Sequence, residues 1–286
     1  MNRKGSLSLR ARSGLAAIVA AFVVTIIWFF TPAPTLAAQY VWNEWRAGAL
    51  ALVLDRADAN LAFSIGVYYF GDQSTIGTAD TRPYELPIAE RAFEKAILID
   101  PSLPLARYMR ARIEFIHSDF NAALADLNAE FALDPVNKRT LYMRALTYAY
   151  RNLPGDLSRA EEDFRSVIAW APHKWAGYND LAYVLAKEKK YADAVPVLRE
   201  GIKKADGGDK NPWLWNTLGV MELNMQNPSE ALSSFLKAQV YAATLVSTDW
   251  ERAYPGNDPA LAPAGLEALR SGIARNVIAA RAALTK

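Results

Sequence analysis

The stretch Trp215-Asn-Thr-Leu218-Gly219, followed by Ser229-Glu-Ala231-Leu-Ser-Ser-Phe235-Leu-Lys-Ala238, decides the fold, because its spacing occurs four more times upstream. Two antiparallel helices cross closely only where their side chains are small, and Gly219 on a first helix and Ala231 on a second supply such places. A glycine inside a helix costs about 1 kcal/mol relative to alanine, so its use there indicates that close approach outweighs propensity. Phe235 then fills the space beside the crossing. The second-helix alanines Ala89, Ala123, Ala160, Ala194 and Ala231 stand 34, 37, 34 and 37 residues apart. Four positions after each comes Phe93, Leu127, Phe164, Leu198 or Phe235, apolar in every case. The first-helix small residues are Gly66, Ala111, Ala145, Ala182 and Gly219, preceded by Ile65, Arg110, Arg144, Leu181 and Leu218. Three units close on a proline that cannot continue a helix, in Asp100-Pro101, Asp134-Pro135 and Ala171-Pro172.

This spacing resembles the tetratricopeptide repeat (TPR), a helix-turn-helix unit of about 34 residues with a W-x₂-L-G…A-x₃-F…P pattern. Trp215, Leu218, Gly219, Ala231, Phe235 and Ala238 fall on that pattern, whereas Arg110 and Arg144 stand where it has leucine. The resemblance covers about residues 59–245 and implies an all-α fold, a right-handed solenoid of five helix pairs at about 59–101, 104–135, 138–172, 175–206 and 212–245. Residues 39–58 are expected to form an N-terminal capping helix, a lone second helix over 40–55. Residues 246–286 are expected to form a loop over 248–264 and a C-terminal capping helix from Gly265. In that helix Leu266, Leu269, Ile273, Val277 and Ala280 recur at three- and four-residue steps. The long 71–87 connection inside the first pair is unusual between tightly packed helices and reads as either a contact element or an exposed insertion.

The chain opens with Arg3, Lys4, Arg10 and Arg12, then runs through 17 apolar or small residues from Gly14 to Phe30. Two readings compete for residues 1–38: an uncleaved transmembrane anchor, or a secretory signal cut near Ala38. The run is long for a signal and short for a span. In either case the positive flank places Met1 in the cytoplasm and the repeats across the membrane, periplasmic in a Gram-negative cell. Net charge is +2, and the four leading cations leave the remainder close to neutral. That lacks the basic footprint of a nucleic-acid binder. No cysteine is present, which removes disulfides, a thiol nucleophile and a lipid-modified cysteine.

The sequence carries no catalytic or metal-ligating pattern. His117 and His173 are the only histidines, and neither has a second ligand at metal spacing. Glu161-Glu162-Asp163 is expected in the first turn of a helix, where carboxylates suit the positive end of the dipole. Asp206-Gly-Gly-Asp209 lacks EF-hand spacing, and no glycine-rich loop followed by lysine occurs. No cofactor, metal or catalytic residue is expected, and the chain reads as a non-enzyme. What remains is the concave face, which in the TPR family is formed by first helices. By register it carries Asn60, Phe63, Val67 and Phe70, then Tyr108, Arg112 and Phe115, then Arg139, Tyr142, Leu146 and Tyr150, then Asn179 and Tyr183, then Asn216 and Val220. The resemblance implies a scaffold or adaptor that binds a peptide or partner protein there. The lysines of the family's carboxylate-clamping grooves are missing, and some aromatics at helical spacing are expected to be core. A binding accessory for an envelope polymer or a lipid-linked glycan is the alternative.

Overall fold

A computed structural model describes residues 31–71, 84–254 and 257–285. Among these residues all regular structure is helical, arranged as two compact units divided between Leu103 and Pro104. The expected anchor or signal at 14–30 and most of the 71–87 connection lie outside the described residues. No helix among those described is long and apolar enough to cross a membrane.

The first unit contains α1 (Ala33–Trp45), α2 (Gly48–Leu54), α3 (Ala59–Tyr69) and α4 (Leu86–Ile99), packed as the pairs α1/α2 and α3/α4. Gly66 permits the second crossing, since a Cβ there would sit 2.5 Å from Cε1 of Phe93. The lone helix expected over 40–55 is in fact two helices. Arg46 turns left-handed at φ 52, and the chain restarts at Gly48. The cause is tertiary: the Tyr69 hydroxyl donates to the Arg46 carbonyl at 3.0 Å and accepts from the Gly48 N–H at 3.3 Å, while its ring occupies the space a Gly48 side chain would need. The Lys95 ammonium donates to the carbonyls of Leu52 and Asp55, satisfying acceptors at the end of α2.

The second unit stacks four antiparallel pairs: α5 (Ala106–Ile116) with α6 (Phe120–Leu133), α7 (Arg139–Arg151) with α8 (Asp156–Trp170), α9 (Trp175–Lys187) with α10 (Tyr191–Lys204), and α11 (Pro212–Asn224) with α12 (Pro228–Ala242). The second helix of each pair also packs on the first helix of the next. The small residues the spacing singled out are buried in these pairs, and Gly201 of α10 adds a close approach to Tyr178 of α9 that the spacing did not mark. Ala111, Ala123, Ala145, Ala160, Ala182, Ala194 and Ala231 are fully buried, and a Cβ on Gly219 would meet the Phe235 ring at 2.6 Å. Leu127, Phe164, Leu198 and Phe235 fill the spaces beside them, also fully buried.

The turns inside the pairs repeat as well. Ser118, Lys189 and Gln226 adopt φ values of 62, 61 and 61, and Gly155 adopts 82, each five residues before its second-helix alanine. In three of these turns the next N–H reaches back over the helix end, from Asp119 to the Glu114 carbonyl (2.8 Å), Lys190 to Leu185 (2.8 Å) and Asn227 to Glu222 (3.0 Å), which closes the first helix in the Schellman manner. The α7/α8 turn holds its extra residues differently. Arg151 forks onto the Asp156 carboxylate at 2.9 and 2.8 Å, and that carboxylate also accepts from the Leu153 N–H at 3.0 Å.

The two arginines that depart from leucine have a shared explanation. Arg110 grips Asp126 at 2.6 and 2.7 Å, and Arg144 grips Asp163 at 2.7 and 2.8 Å. Both aspartates stand three residues after their crossing alanine, one turn along the second helix. At that position the next two repeats carry Val197 and Ser234, opposite Leu181 and Leu218. Arginine and aspartate therefore occur together, and leucine returns where the aspartate is gone. A planar guanidinium matches a carboxylate with two parallel bonds, so the pair can replace an apolar contact in a half-buried position.

Beyond α12 the chain forms α13 (Ser247–Ala253), a 3₁₀ turn at Pro259–Leu261, and α14 (Ala262–Ala283). The span expected as a loop over 248–264 thus contains a helix, and α14 begins three residues before the expected Gly265. α14 lies along α12, with Val277 and Ala280 against Ala231 and Phe235, and Ile273 against Ala238 and Ala242. Trp215 packs beside this seam, its indole N–H donating to the Asp209 carbonyl at 2.7 Å.

Candidate functional site

Asn60, Phe63 and Phe70 belong to the first unit. Asn60 is exposed, Phe63 leans on Phe93 with ring centres 5.8 Å apart, and Phe70 is buried against Tyr84. The other proposed groove residues lie on the first helices of the second unit, where five of them fall into two groups.

The first group is an aromatic row. Phe115 on α5 meets Tyr150 on α7 edge-on at 5.2 Å, and Tyr150 meets Tyr183 on α9 at 6.4 Å. Phe120, at the start of α6, closes the row against Phe115 at 5.7 Å. The rings come together because Tyr150 and Tyr183 occur on the same inward stripe of successive first helices. Tyr150 remains 54% exposed and Tyr183 41%, so each presents a ring face while supported by its neighbours. Lys187 stands over the Tyr183 ring at 5.1 Å.

The second group is a polar nest one to two turns nearer the helix starts. Tyr142 of α7 donates its hydroxyl to Oδ2 of Asp180 on α9 at 2.7 Å. Asn179 is oriented by Thr217 of α11, whose hydroxyl donates to its Oδ1 at 2.8 Å. The Asn179 amide nitrogen donates to Oδ1 of Asp180 at 3.2 Å and to the hydroxyl of Tyr254 at 2.9 Å. Tyr254 itself donates to Oδ1 of Asp180 at 3.4 Å. Its ring meets Trp175 edge-on at 5.8 Å, and Trp175 stacks on Trp213 at 5.1 Å. Burial pushes the Asp180 carboxyl up to about 6, against the pull of the Tyr142, Asn179 and Tyr254 hydrogen bonds. The same burial, reinforced by the Asp180 charge, raises the Tyr142 and Tyr254 phenols well above their usual value.

The remaining proposed residues take varied places. Tyr108 is 7% exposed, and Asn179 likewise 7%, so both lie within the packed surface rather than open on the face where register placed them. Arg112 stands over the Tyr108 ring at 6.0 Å. Arg139 is exposed at the start of α7. Asn216 accepts from Asn276 of α14 at 2.9 Å, which joins the last repeat to its cap.

Register reasoning did not single out Asp180, Thr217, Trp175 or Tyr254. Asp180 and Thr217 each follow a residue that it did single out, Asn179 and Asn216, so a wider stripe would have found them. Tyr254 lies in the span expected to be a loop, and no local pattern ties it to α9. Among the described residues no group of three His, Cys, Asp or Glu is placed to hold a metal ion. The nest is built to order hydroxyl and amide groups: one carboxylate, one amide and two phenols, with no ion pair from a lysine or arginine to Asp180 among the described residues.

No family model and no curated protein sequence matches the chain. Several solved structures share its fold. A thermophilic TPR protein of Thermus thermophilus aligns at TM-score 0.52 and 19% identity, over 77% of this chain and 100% of that one. YrrB, described as a TPR protein with an unusual peptide-binding site, aligns at TM-score 0.51 and 15% identity, over 69% and 93%. PilF of Pseudomonas aeruginosa aligns at 0.50 and 15%, over 82% and 96%. At such identities the likeness concerns architecture, and the architecture is that of tetratricopeptide-repeat proteins.

Proposed function

We propose that the chain is a protein-interaction scaffold whose second unit binds an extended peptide or a partner protein along the first-helix face, and that residues 1–30 carry this module across a membrane. The observation that supports the binding reading best is the row Phe115–Tyr150–Tyr183, whose last two rings are mutually supported yet about half open. Rigid aromatic surface loses little side-chain entropy on binding, and such residues supply most interface hot spots. The TPR architecture of the neighbours agrees with a scaffold role, and one of them is described as peptide-binding. The membrane placement rests on the basic residues 3–12 followed by the apolar run 14–30.

The test places a photo-crosslinking residue at Tyr150, at Tyr183 and, on the exposed side of α10, at Lys203 in the full chain. One partner captured at the first two positions and absent at the third is the expected result. Tyr150→Ala and Tyr183→Ala should each weaken that partner by about 2 kcal/mol. Capture at Lys203 alone would move the binding surface to the second-helix side and end the groove assignment.

A further inference from the structure

The connection between α12 and α14 does more than join a repeat to its cap. α13 is seven residues long and none of them is buried. Its start is held locally by Asp249, which accepts from the Val246 N–H at 2.8 Å. Trp250 packs on Gly265 of α14, where a side chain would collide with the indole. The far end carries Tyr254 onto the first-helix face of the second unit, across about 75 residues of sequence. There its phenol is read completely: the oxygen accepts from Asn179, the hydrogen is donated to Asp180, and the ring edge meets Trp175. Thr217 and Tyr142 hold the two reading groups in place from the neighbouring repeats. The nest lies beside the aromatic row, on the stripe already assigned to binding.

We propose that Asn179, Asp180 and Trp175 form a tyrosine-recognition subsite of the groove, filled in the free protein by Tyr254 and taken over by a tyrosine presented by the partner, which releases the Ser247–Tyr254 arm. This rests on the groove reading above. The chemistry makes the subsite selective. A phenylalanine would satisfy Trp175 but remove the acceptor of one Asn179 N–H and one of the donors to Asp180, which keeps Tyr142 and Asn179, a loss that discriminates against isosteres lacking the hydroxyl. A phosphotyrosine would bring further negative charge against the Asp180 carboxylate. No residue of α13 is buried, so the arm is held by Tyr254 and by the Trp250 contact with Gly265 rather than by a core of its own, whereas α14 stays docked through Ile273, Val277 and Ala280.

The probe is a labelled peptide of residues 247–254, blocked at both ends, titrated by fluorescence polarisation against the full chain and its variants. Expected results are saturable binding to Tyr254→Ala at least tenfold tighter than to the wild type, a tenfold loss when the peptide tyrosine becomes phenylalanine, no binding when it is phosphorylated, and loss in Asn179→Ala/Tyr254→Ala. Equal binding of the tyrosine and phenylalanine peptides, or binding unaffected by Asn179→Ala, would overturn the subsite. Tyr254→Phe keeps the ring and guards against misfolding: trypsin should cut after Arg252 several-fold faster than in the wild type, and an unchanged rate would show that the phenol does not hold the arm. If crosslinkers at Tyr150 and Tyr183 capture a partner while the peptide never binds, the groove reading stands and the subsite fails. Peptide exchange without any captured partner supports the subsite and removes the wider groove.

Discussion

Replacing the Arg144–Asp163 pair tests whether the guanidinium–carboxylate fork stands in for the leucine contact of the neighbouring repeats. The guanidinium and carboxylate share two bonds of 2.7 and 2.8 Å, and their side chains are 18% and 9% exposed. Breaking a fully buried pair costs about 3–5 kcal/mol, because the survivor keeps its desolvation penalty. Arg144 is less isolated than that. It retains Asn128 at 3.1 Å and the Phe131 ring at 4.8 Å, and part of it reaches water. Asp163→Ala should therefore cost about 2 kcal/mol, and Arg144→Leu, which strands the more buried carboxylate, about 2–3 kcal/mol. The next repeat shows what an apolar version looks like, with Leu181 and Val197 at the equivalent positions. Arg144→Leu/Asp163→Val should accordingly return to within about 1 kcal/mol of the wild type, giving a coupling of several kcal/mol between the two sites. The assay is urea unfolding of the four proteins with amide exchange in α7 and α8 as the local readout, since stacked repeats loosen in part before they unfold as a whole. Single variants within about 0.5 kcal/mol of the wild type, or a double variant as costly as the sum of the singles, would refute the reasoning.

Asp180, with its carboxyl raised to about 6, holds a proton in the folded state that the unfolded chain has already released. Its contribution is therefore full below pH ~4 and is lost as pH rises to about 6, by up to about 3 kcal/mol, and Asp180→Asn should flatten this part of a melting-temperature profile between pH 4 and 7. An unchanged slope would contradict the burial of that carboxylate. Ala194→Leu and Ala231→Leu each overfill a crossing with no free space and should destabilise by about 1–3 kcal/mol in thermal melts, with amide exchange rising in the adjacent pairs as well. A phosphatase fused after Lys286 should be active only on the side of the membrane opposite the cytoplasm, and sequencing the mature amino terminus separates an anchor that keeps Met1 from a signal removed near Ala38. Cytoplasmic phosphatase activity would defeat the export proposal.

Local spacing carried the repeat architecture because a helix crossing depends on residues within a few turns of each other. Gly219, Ala231 and Phe235 form one such crossing, and Ala194 and Leu198 form another. The stripe of first-helix residues followed from the same periodicity, and it included Tyr150, Tyr183, Tyr142 and Asn179. The arginines were visible as departures, but their reason lay in Asp126 and Asp163 on the opposite helix of each pair, and only a folded pair brings fork and carboxylate together. The break at Arg46 likewise needed the Tyr69 hydroxyl from another helix. Tyr254 marks the limit of what periodicity can reach. It belongs to no repeat, it follows a short helix with no buried residue, and its partners lie about 75 positions earlier. Pattern reading registers residues that share a helix face, whereas a hydrogen bond from a phenol to a carboxylate on another element depends on where the whole chain has already been placed. The sequence alone therefore determined which residues of the first helices share a stripe, and the tertiary structure decided that Asn179 and Asp180 on that stripe are already holding a tyrosine of the same chain.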